Sequence, residues 1–246
     1  MLSRLRPHPR NIVEETLMFY SLRHPGVMAV TLSAAGILTV TMGIRQTFGL
    51  FISPINASTG MSIATISLAM AIGQFTWGAI QPVAGAVADR YGPQRVLAAG
   101  LLILALGCAV APFMTEGFGL TVALGLLASI GSGIGSFSVL IGAAAARLPE
   151  ESRGTASGVI NAGGSFGQFV FAPVVQKLIQ AVGWMGALWA MALVALASLP
   201  LISRLVKSGG APPAPVAGEQ RLGEAVRAAS RDRSYWLLHL GFFTCG

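Results

Sequence analysis

An arginine inside an apolar stretch is the residue whose position most directly suggests chemistry. Arg45 is the only charged side chain within residues 27–51. A guanidinium in hydrocarbon costs at least ~2.5 kcal/mol, so Arg45 is expected to face a cavity or a polar partner. Its planar fork of N–H donors matches a carboxylate, which predicts a binding site for an organic anion. The alternative is that Arg45 lies in the outer part of its helix and extends toward the lipid headgroups.

Neutral amide side chains are candidates to complete such a site. Gln46 follows Arg45 directly, and three further amides, Gln74, Asn161 and Gln168, occur in other apolar stretches. Each could hydrogen-bond a substrate across a cavity. The alternative for each is a hydrogen bond between helices, which is worth only about 0.6 kcal/mol on average.

A charged turn, residues 85–95, separates two long apolar stretches. Its marked residues are Gly85, Asp89, Arg90, Gly92 and Arg95. Gly85 would let a neighbouring helix approach closely, and the Asp89 carboxylate would accept hydrogen bonds from a facing helix N-terminus. Arg147 or Arg153, expected on the same side of the membrane, could pair with Asp89 in one conformation only and so bias an equilibrium. The turn is therefore a candidate conformational latch; the alternative is a charged turn that only fixes topology.

The composition indicates a membrane protein. Hydrophobic residues make up 54% of the chain, charged residues only 10%, and the mean hydropathy is +0.70, whereas about a quarter of the residues of a soluble domain are charged. The net charge of +7 does not indicate a nucleic-acid partner, because the basic residues cluster between apolar stretches. Cys108 and Cys245 lie in apolar surroundings without metal or redox spacing. No motif for phosphate, a metal, a cofactor or a nucleophile occurs, so we do not expect an enzyme.

Six apolar stretches are long enough to cross a bilayer, which takes about 20 residues. These predicted spans are 27–51, 63–88, 96–114, 118–146, 155–176 and 184–202, with turn-forming residues between them at 54–60, 92–93, 116–117, 149–154 and 183. A Gly-Gln-Phe triplet recurs in the second and fifth spans, at residues 73–75 and 167–169. Corresponding spans of a 3+3 inverted repeat would carry such triplets, and inverted-repeat transporters bind substrate near mid-span. The sequence thus predicts an all-α polytopic membrane protein with a six-helix bundle.

The basic residues predict the orientation. All 16 lysines and arginines except Arg45 and Lys177 fall in the tails and loops of one side, which the positive-inside rule makes cytoplasmic. The expected order is a cytoplasmic tail (1–26), the transmembrane bundle (27–202), a cytoplasmic linker rich in Pro and Gly at its start (203–234), and the start of a truncated seventh helix (235–246).

Two stretches resemble the major facilitator superfamily. Gly85, Asp89, Arg90 and Gly92 match its loop between helices 2 and 3, G-x-x-x-D-[RK]-x-G-[RK]-[RK], although Pro93-Gln94 replaces the final basic pair and Arg95 comes one place later. Residues 43–51 resemble the first helix of the monocarboxylate and oxalate/formate branch, where a basic residue at the place of Arg45 is tied to the transported anion. The resemblance covers nearly the whole chain and implies the N-terminal half of a 12-helix transporter.

The expected function is transport of small organic anions such as monocarboxylates by alternating access in a plasma or inner membrane. The partners would be the anion, the bilayer, and either the missing C-terminal half or a second copy of the chain. Two alternatives stay open, a drug or metabolite exporter and a truncated membrane protein that does not transport.

Overall fold

Helices account for most of the computed structural model, which describes residues 25–207. No β-strand occurs among these residues, in agreement with the predicted all-α class. The predicted N-terminal tail lies almost entirely outside the described residues. Residues 208–234 of the predicted linker (203–234) and the start of a seventh helix (235–246) also lie outside them, whereas residues 203–207 are helical.

Five apolar helical segments within residues 25–207 are long enough to cross a membrane. They are α1 (Pro25–Thr59), α2 (Ile63–Tyr91), α3 (Pro93–Phe113), α4 (Gly117–Ala145) and a fifth segment, Glu150–Leu205. The fifth segment consists of α5 (Glu150–Ala197) and most of α6 (Leu199–Lys207). An integral, multi-pass membrane protein follows from these lengths and hydropathies.

The first helix is longer than its sequence pattern predicts. It is α-helical over Pro25–Gln46, tightens to a 3-10 turn at Phe48–Phe51 and is α-helical again over Ile52–Thr59. The prediction that Pro54 begins a break is therefore wrong. Pro54 lies in the first turn of Ile52–Thr59, where a missing N–H costs no intrahelical hydrogen bond.

The predicted fifth and sixth spans are two helices that meet at Gly183 within α5 (Glu150–Ala197). The predicted break at 149–154 is shorter than expected, because α5 already begins at Glu150. The predicted break at Gly183 is present: this residue has φ 75° and ψ 169°, outside the helical region, and the helix is kinked there. Only glycine adopts such backbone angles without strain.

Replacing Gly183 by alanine is expected to lower the unfolding temperature. A side chain at this φ and ψ costs about 1–3 kcal/mol, although an added Cβ would meet no atom within 4 Å. Thermal unfolding in detergent measures the effect, with Gly154→Ala as the control in the same helix, since that site is also open. Equal unfolding temperatures for the two variants would contradict the assignment of the bend to Gly183.

Glycines bring the helices into close contact. Gly163 and Gly167 of α5 lie against Ala35 and Thr39 of α1, and the Thr39 hydroxyl donates a 2.8 Å hydrogen bond to the Gly163 carbonyl oxygen. A Cβ at Gly167 would lie 2.7 Å from Thr39 Cα and closer still to its carbonyl oxygen. Small residues at four-residue spacing permit this approach.

The contact between α2 and α4 is built in the same way. A Cβ at Gly73 would lie 2.6 Å from Ser129 Oγ and 3.3 Å from Gly125 Cα, and one at Gly125 would lie 2.8 Å from the Ala69 carbonyl oxygen. These contacts fix α2 and α4 as two walls of the region beside Arg45.

Candidate functional site

Arg45 lies near the middle of α1 rather than at its end. The α-helix Pro25–Gln46 ends one residue after it, and α1 continues to Thr59, roughly four helical turns further. Its neighbours Ile44 and Phe48 are buried in the core, whereas Arg45 itself is only partly buried. The polar end of this side chain is thus held at the edge of the bundle core.

Two side chains of α2 contact the Arg45 guanidinium. Its Nη2 donates a hydrogen bond to Gln74 Oε1, and its Cζ lies 3.9 Å from the centroid of the Trp77 ring. Residues three apart lie on the same face of a helix, so Gln74 and Trp77 approach Arg45 together. In the alternative considered from the sequence, the side chain extended to lipid headgroups; here it is folded against α2.

A cleft of about 200 Å³ lies beside Arg45. Most of its lining residues are apolar, among them Phe48, Ile52, Met70 and Leu124. The polar residues beside Arg45 in the lining are Gln46, Gln74 and Ser129. Apolar walls with few convergent polar groups are typical of small-molecule sites. The cleft suits a small molecule that has one anionic end and an apolar body.

The wall contributed by α4 departs from regular α-helix. Residues Thr121–Ala128 form a π-helix, and the Ser129 hydroxyl donates a 2.8 Å hydrogen bond to the Leu124 carbonyl oxygen. Both Leu124 and Ser129 line the cleft. Wider π turns are frequent at functional sites, and the hydrophobic pattern of α4 did not predict this one.

The structure brings together three of the five predicted binding residues. Arg45, Gln46 and Gln74 all line the cleft, whereas Gln168 and Asn161 lie on α5 and do not line it. Gln168 is partly buried and Asn161 is exposed. A role for these two amides therefore stays a prediction.

The break predicted at residues 92–93 is narrower than expected, because Tyr91 still belongs to α2 and Pro93 is the first residue of α3. Gly92 alone connects α2 to α3, with φ 88° and its N–H donating 2.9 Å to the Ala88 carbonyl oxygen. Asp89 is exposed, and among residues 25–207 it forms no ion pair with a basic side chain. Arg90 Cζ lies 5.5 Å from the Tyr91 ring centroid, and Arg95 is exposed.

The expected close helix contact at Gly85 is not made within the described part of the chain. An added Cβ there would meet nothing within 4 Å, because the tight contacts of α2 are made further up the helix, at Gly73. Arg147 and Arg153 have other partners: Arg147 Nη1 donates to the Leu205 carbonyl oxygen at 3.5 Å, and Arg153 Nε donates to that of Leu148 at 3.1 Å. Pairing of either arginine with Asp89 stays a prediction for another conformation.

Long apolar helices with glycine-lined contacts define a polytopic membrane protein, and its described part contains a cleft with mostly apolar walls beside Arg45. A family model described as Major Facilitator Superfamily matches residues 33–246. The chain therefore belongs to the Major Facilitator Superfamily of transporters. The resemblance noted at residues 85–95 is confirmed at the level of the family.

Curated relatives fall in the monocarboxylate-like branch. The chain is 30% identical over 174 residues to monocarboxylate transporter 13 of Rattus norvegicus. The match covers 71% of this chain and 40% of the relative. It is 26% identical over 147 residues to the oxalate:formate antiporter of Oxalobacter formigenes, covering 60% of this chain and 34% of the relative. A probable sulfoacetate transporter of Cupriavidus necator is 28% identical over 145 residues, covering 58% of this chain and 33% of the relative. The matches thus span two fifths or less of each relative's length.

Proposed function

We propose that this chain forms one bundle of a transporter for small organic anions, with Arg45 binding the carboxylate in the cleft. The observation that supports this proposal is an intramembrane guanidinium beside a cleft, with no Asp or Glu paired to it among residues 25–207. An uncompensated charge in a low-dielectric region is costly. A bound carboxylate would supply the missing countercharge and fit the donor fork.

The named substrates of the relatives agree with this chemistry. Monocarboxylates, oxalate, formate and sulfoacetate are all small organic anions. Gln46 lines the cleft and can donate its amide N–H groups to such an anion, and Gln74 keeps its own amide N–H groups after accepting from Arg45. The Ser129 hydroxyl already donates to the Leu124 carbonyl oxygen, so we assign only Gln46 and Gln74 to the substrate path in support of Arg45.

The finer architecture that we propose is a six-span bundle with a 3+3 inverted repeat. A segment of the length of Glu150–Leu205, at ~1.5 Å per residue, greatly exceeds the ~30 Å hydrocarbon thickness, so the bend at Gly183 would separate two spans. The triplet glycines support the repeat: Gly73 packs α2 on α4, and Gly167 packs α5 on α1. In a 3+3 repeat these two contacts are equivalent.

Alternating access would need a second bundle facing the cleft. That bundle would be the C-terminal half of a 12-helix fold or a second copy of the chain, and the two bundles would rock about the bound anion. The turn at Asp89 and Arg90 would act as a latch on the cytoplasmic side of a plasma or inner membrane, with the N-terminus cytoplasmic. The exposed Asp89 carboxylate is available for such a contact.

Counterflow in proteoliposomes tests the proposal. Vesicles that contain the 246-residue chain and unlabelled butyrate are expected to accumulate labelled butyrate, and Arg45→Ala vesicles are not. Butyramide, which is neutral, serves as the control substrate. Uptake by both the wild type and Arg45→Ala would contradict the role of Arg45, and uptake of butyramide equal to that of butyrate would contradict an anion site.

A further inference from the structure

We infer that Trp77 is the positioning residue that holds the Arg45 guanidinium in its binding orientation. The inference rests on the proposed function of Arg45 and adds a residue that was not among the binding residues predicted from the sequence. Trp77 does not itself line the cleft, so it would act through Arg45.

The geometry supports a fixed guanidinium plane. Arg45 Cζ lies 3.9 Å from the Trp77 ring centroid, well within the ~6 Å range of a cation–π interaction. Gln74 accepts from Nη2, which limits rotation within that plane. The Trp77 ring thus contacts the guanidinium carbon and Gln74 takes one donor, and the remaining N–H donors are left for a carboxylate.

The indole N–H of Trp77 indicates that packing alone does not explain a tryptophan here. Trp77 Nε1 is buried and has no hydrogen-bond partner among the described residues. Trp189, in contrast, donates from Nε1 to the Ala109 carbonyl oxygen at 3.2 Å. A buried donor without a partner is unfavourable, and phenylalanine would avoid it. Tryptophan is, however, the side chain that attracts a cation most strongly, which fits a role toward Arg45.

The backbone of Trp77 is held firmly enough to serve this role. A Cβ at Gly133 of α4 would lie 3.0 Å from the Trp77 carbonyl oxygen and 3.5 Å from its Cα. The close packing of α2 on α4 therefore fixes the base of the Trp77 side chain. Without the indole, Arg45 would keep its charge but lose the contact that sets its plane.

The test compares Trp77→Phe and Trp77→Leu in a Cys245→Ser background. Unfolding is followed with a thiol-reactive fluorogenic dye, because Cys108 is fully buried and reacts only when the protein opens. Butyrate is titrated, and the apparent dissociation constant is taken from the rise in unfolding temperature. Trp189→Phe, which removes a satisfied indole N–H, is the matched control.

We expect Trp77→Leu to weaken butyrate binding about thirtyfold, and Trp77→Phe on the order of fivefold because a weaker ring contact remains. The unfolding temperature of anion-free Trp77→Phe is expected to stay near that of the wild type. Trp189→Phe is expected to lower the unfolding temperature and to leave butyrate affinity unchanged.

Two results overturn the inference in distinguishable ways. Suppose that butyrate raises the unfolding temperature of the wild type more than butyramide does, and that both Trp77 variants bind butyrate as tightly as the wild type. Trp77 then does not position Arg45, and the proposed function stands. If the wild type and Arg45→Ala give the same response, the proposed function fails and the inference fails with it. Should Trp77→Leu not fold, the affinity of Trp77→Phe decides.

Discussion

Arg45→Ala is expected to weaken carboxylate binding at least about a hundredfold. Each hydrogen bond to a charged group contributes about 1.5–3 kcal/mol, and a guanidinium can offer a carboxylate two of them. The substitution also removes the charge that the cleft would otherwise leave uncompensated. Isothermal titration of butyrate into the purified protein measures the change.

Two companion variants make the Arg45 prediction specific. Arg45→Lys keeps the charge but not the planar fork, so we expect an intermediate loss of about tenfold. Lys177→Ala removes an exposed positive charge from α5 and is expected to leave the affinity unchanged. Equal losses in Arg45→Ala and Lys177→Ala would mean that overall charge, and not the site, attracts the anion.

Gly167→Ala is expected to destabilise the bundle by at least about 2 kcal/mol, which is within the range for overpacked cores. The added methyl group would lie 2.7 Å from Thr39 Cα, and a backbone atom cannot move aside as the end of a side chain can. The helices α1 and α5 would have to separate. Such separation would also disturb the 2.8 Å hydrogen bond from Thr39 to Gly163.

The matched control for Gly167 is Gly158→Ala in the same helix. A Cβ at Gly158 would meet no atom within 4 Å, so its effect is expected within about 0.5 kcal/mol. Unfolding temperatures in detergent compare the two. A Gly167→Ala protein as stable as Gly158→Ala would show that α1 and α5 are not packed as closely as described.

The proposed anion site could be located in part because charge is so rare in the predicted spans. A single arginine among apolar residues stands out in the sequence, and its cost predicts a partner. The identity of the partner does not follow from the sequence, since Gln74, Asn161 and Gln168 were all candidate amides in other spans. Trp77 could have been found from its spacing, because it lies three residues after Gln74 on the same helical face.

The helix ends show where local sequence is insufficient. Pro54 resembles a terminator, but its effect depends on whether it falls in the first turn of a helix or later, and that depends on the 3-10 turn at Phe48–Phe51. The break at Gly183 was predicted because Gly183 is the helix-breaking residue between the two apolar stretches. The sequence of Thr121–Ala128 contains no proline or other residue pattern that predicted its π-helix.

Glycine roles followed from spacing at some positions and not at others. Gly163 and Gly167, at four-residue spacing, make close contacts with Ala35 and Thr39 of α1. Gly85 occupies a position of the family pattern but meets nothing within 4 Å in the described residues. A pattern identifies which glycines are candidates for close packing, and the relative rotation of two helices decides which of them face a neighbour.

The most direct test of the account is a distance between the bound anion and Arg45. Solid-state NMR can measure the dipolar coupling between carbon-13 in the butyrate carboxylate and nitrogen-15 in the arginine guanidinium groups of the protein in bilayers. We predict a coupling that corresponds to about 4 Å, the separation of a hydrogen-bonded pair, and its loss in Arg45→Lys. A coupling that persists in Arg45→Lys, or bound butyrate without any arginine coupling in the wild type, would contradict the assignment of Arg45 as the anion site.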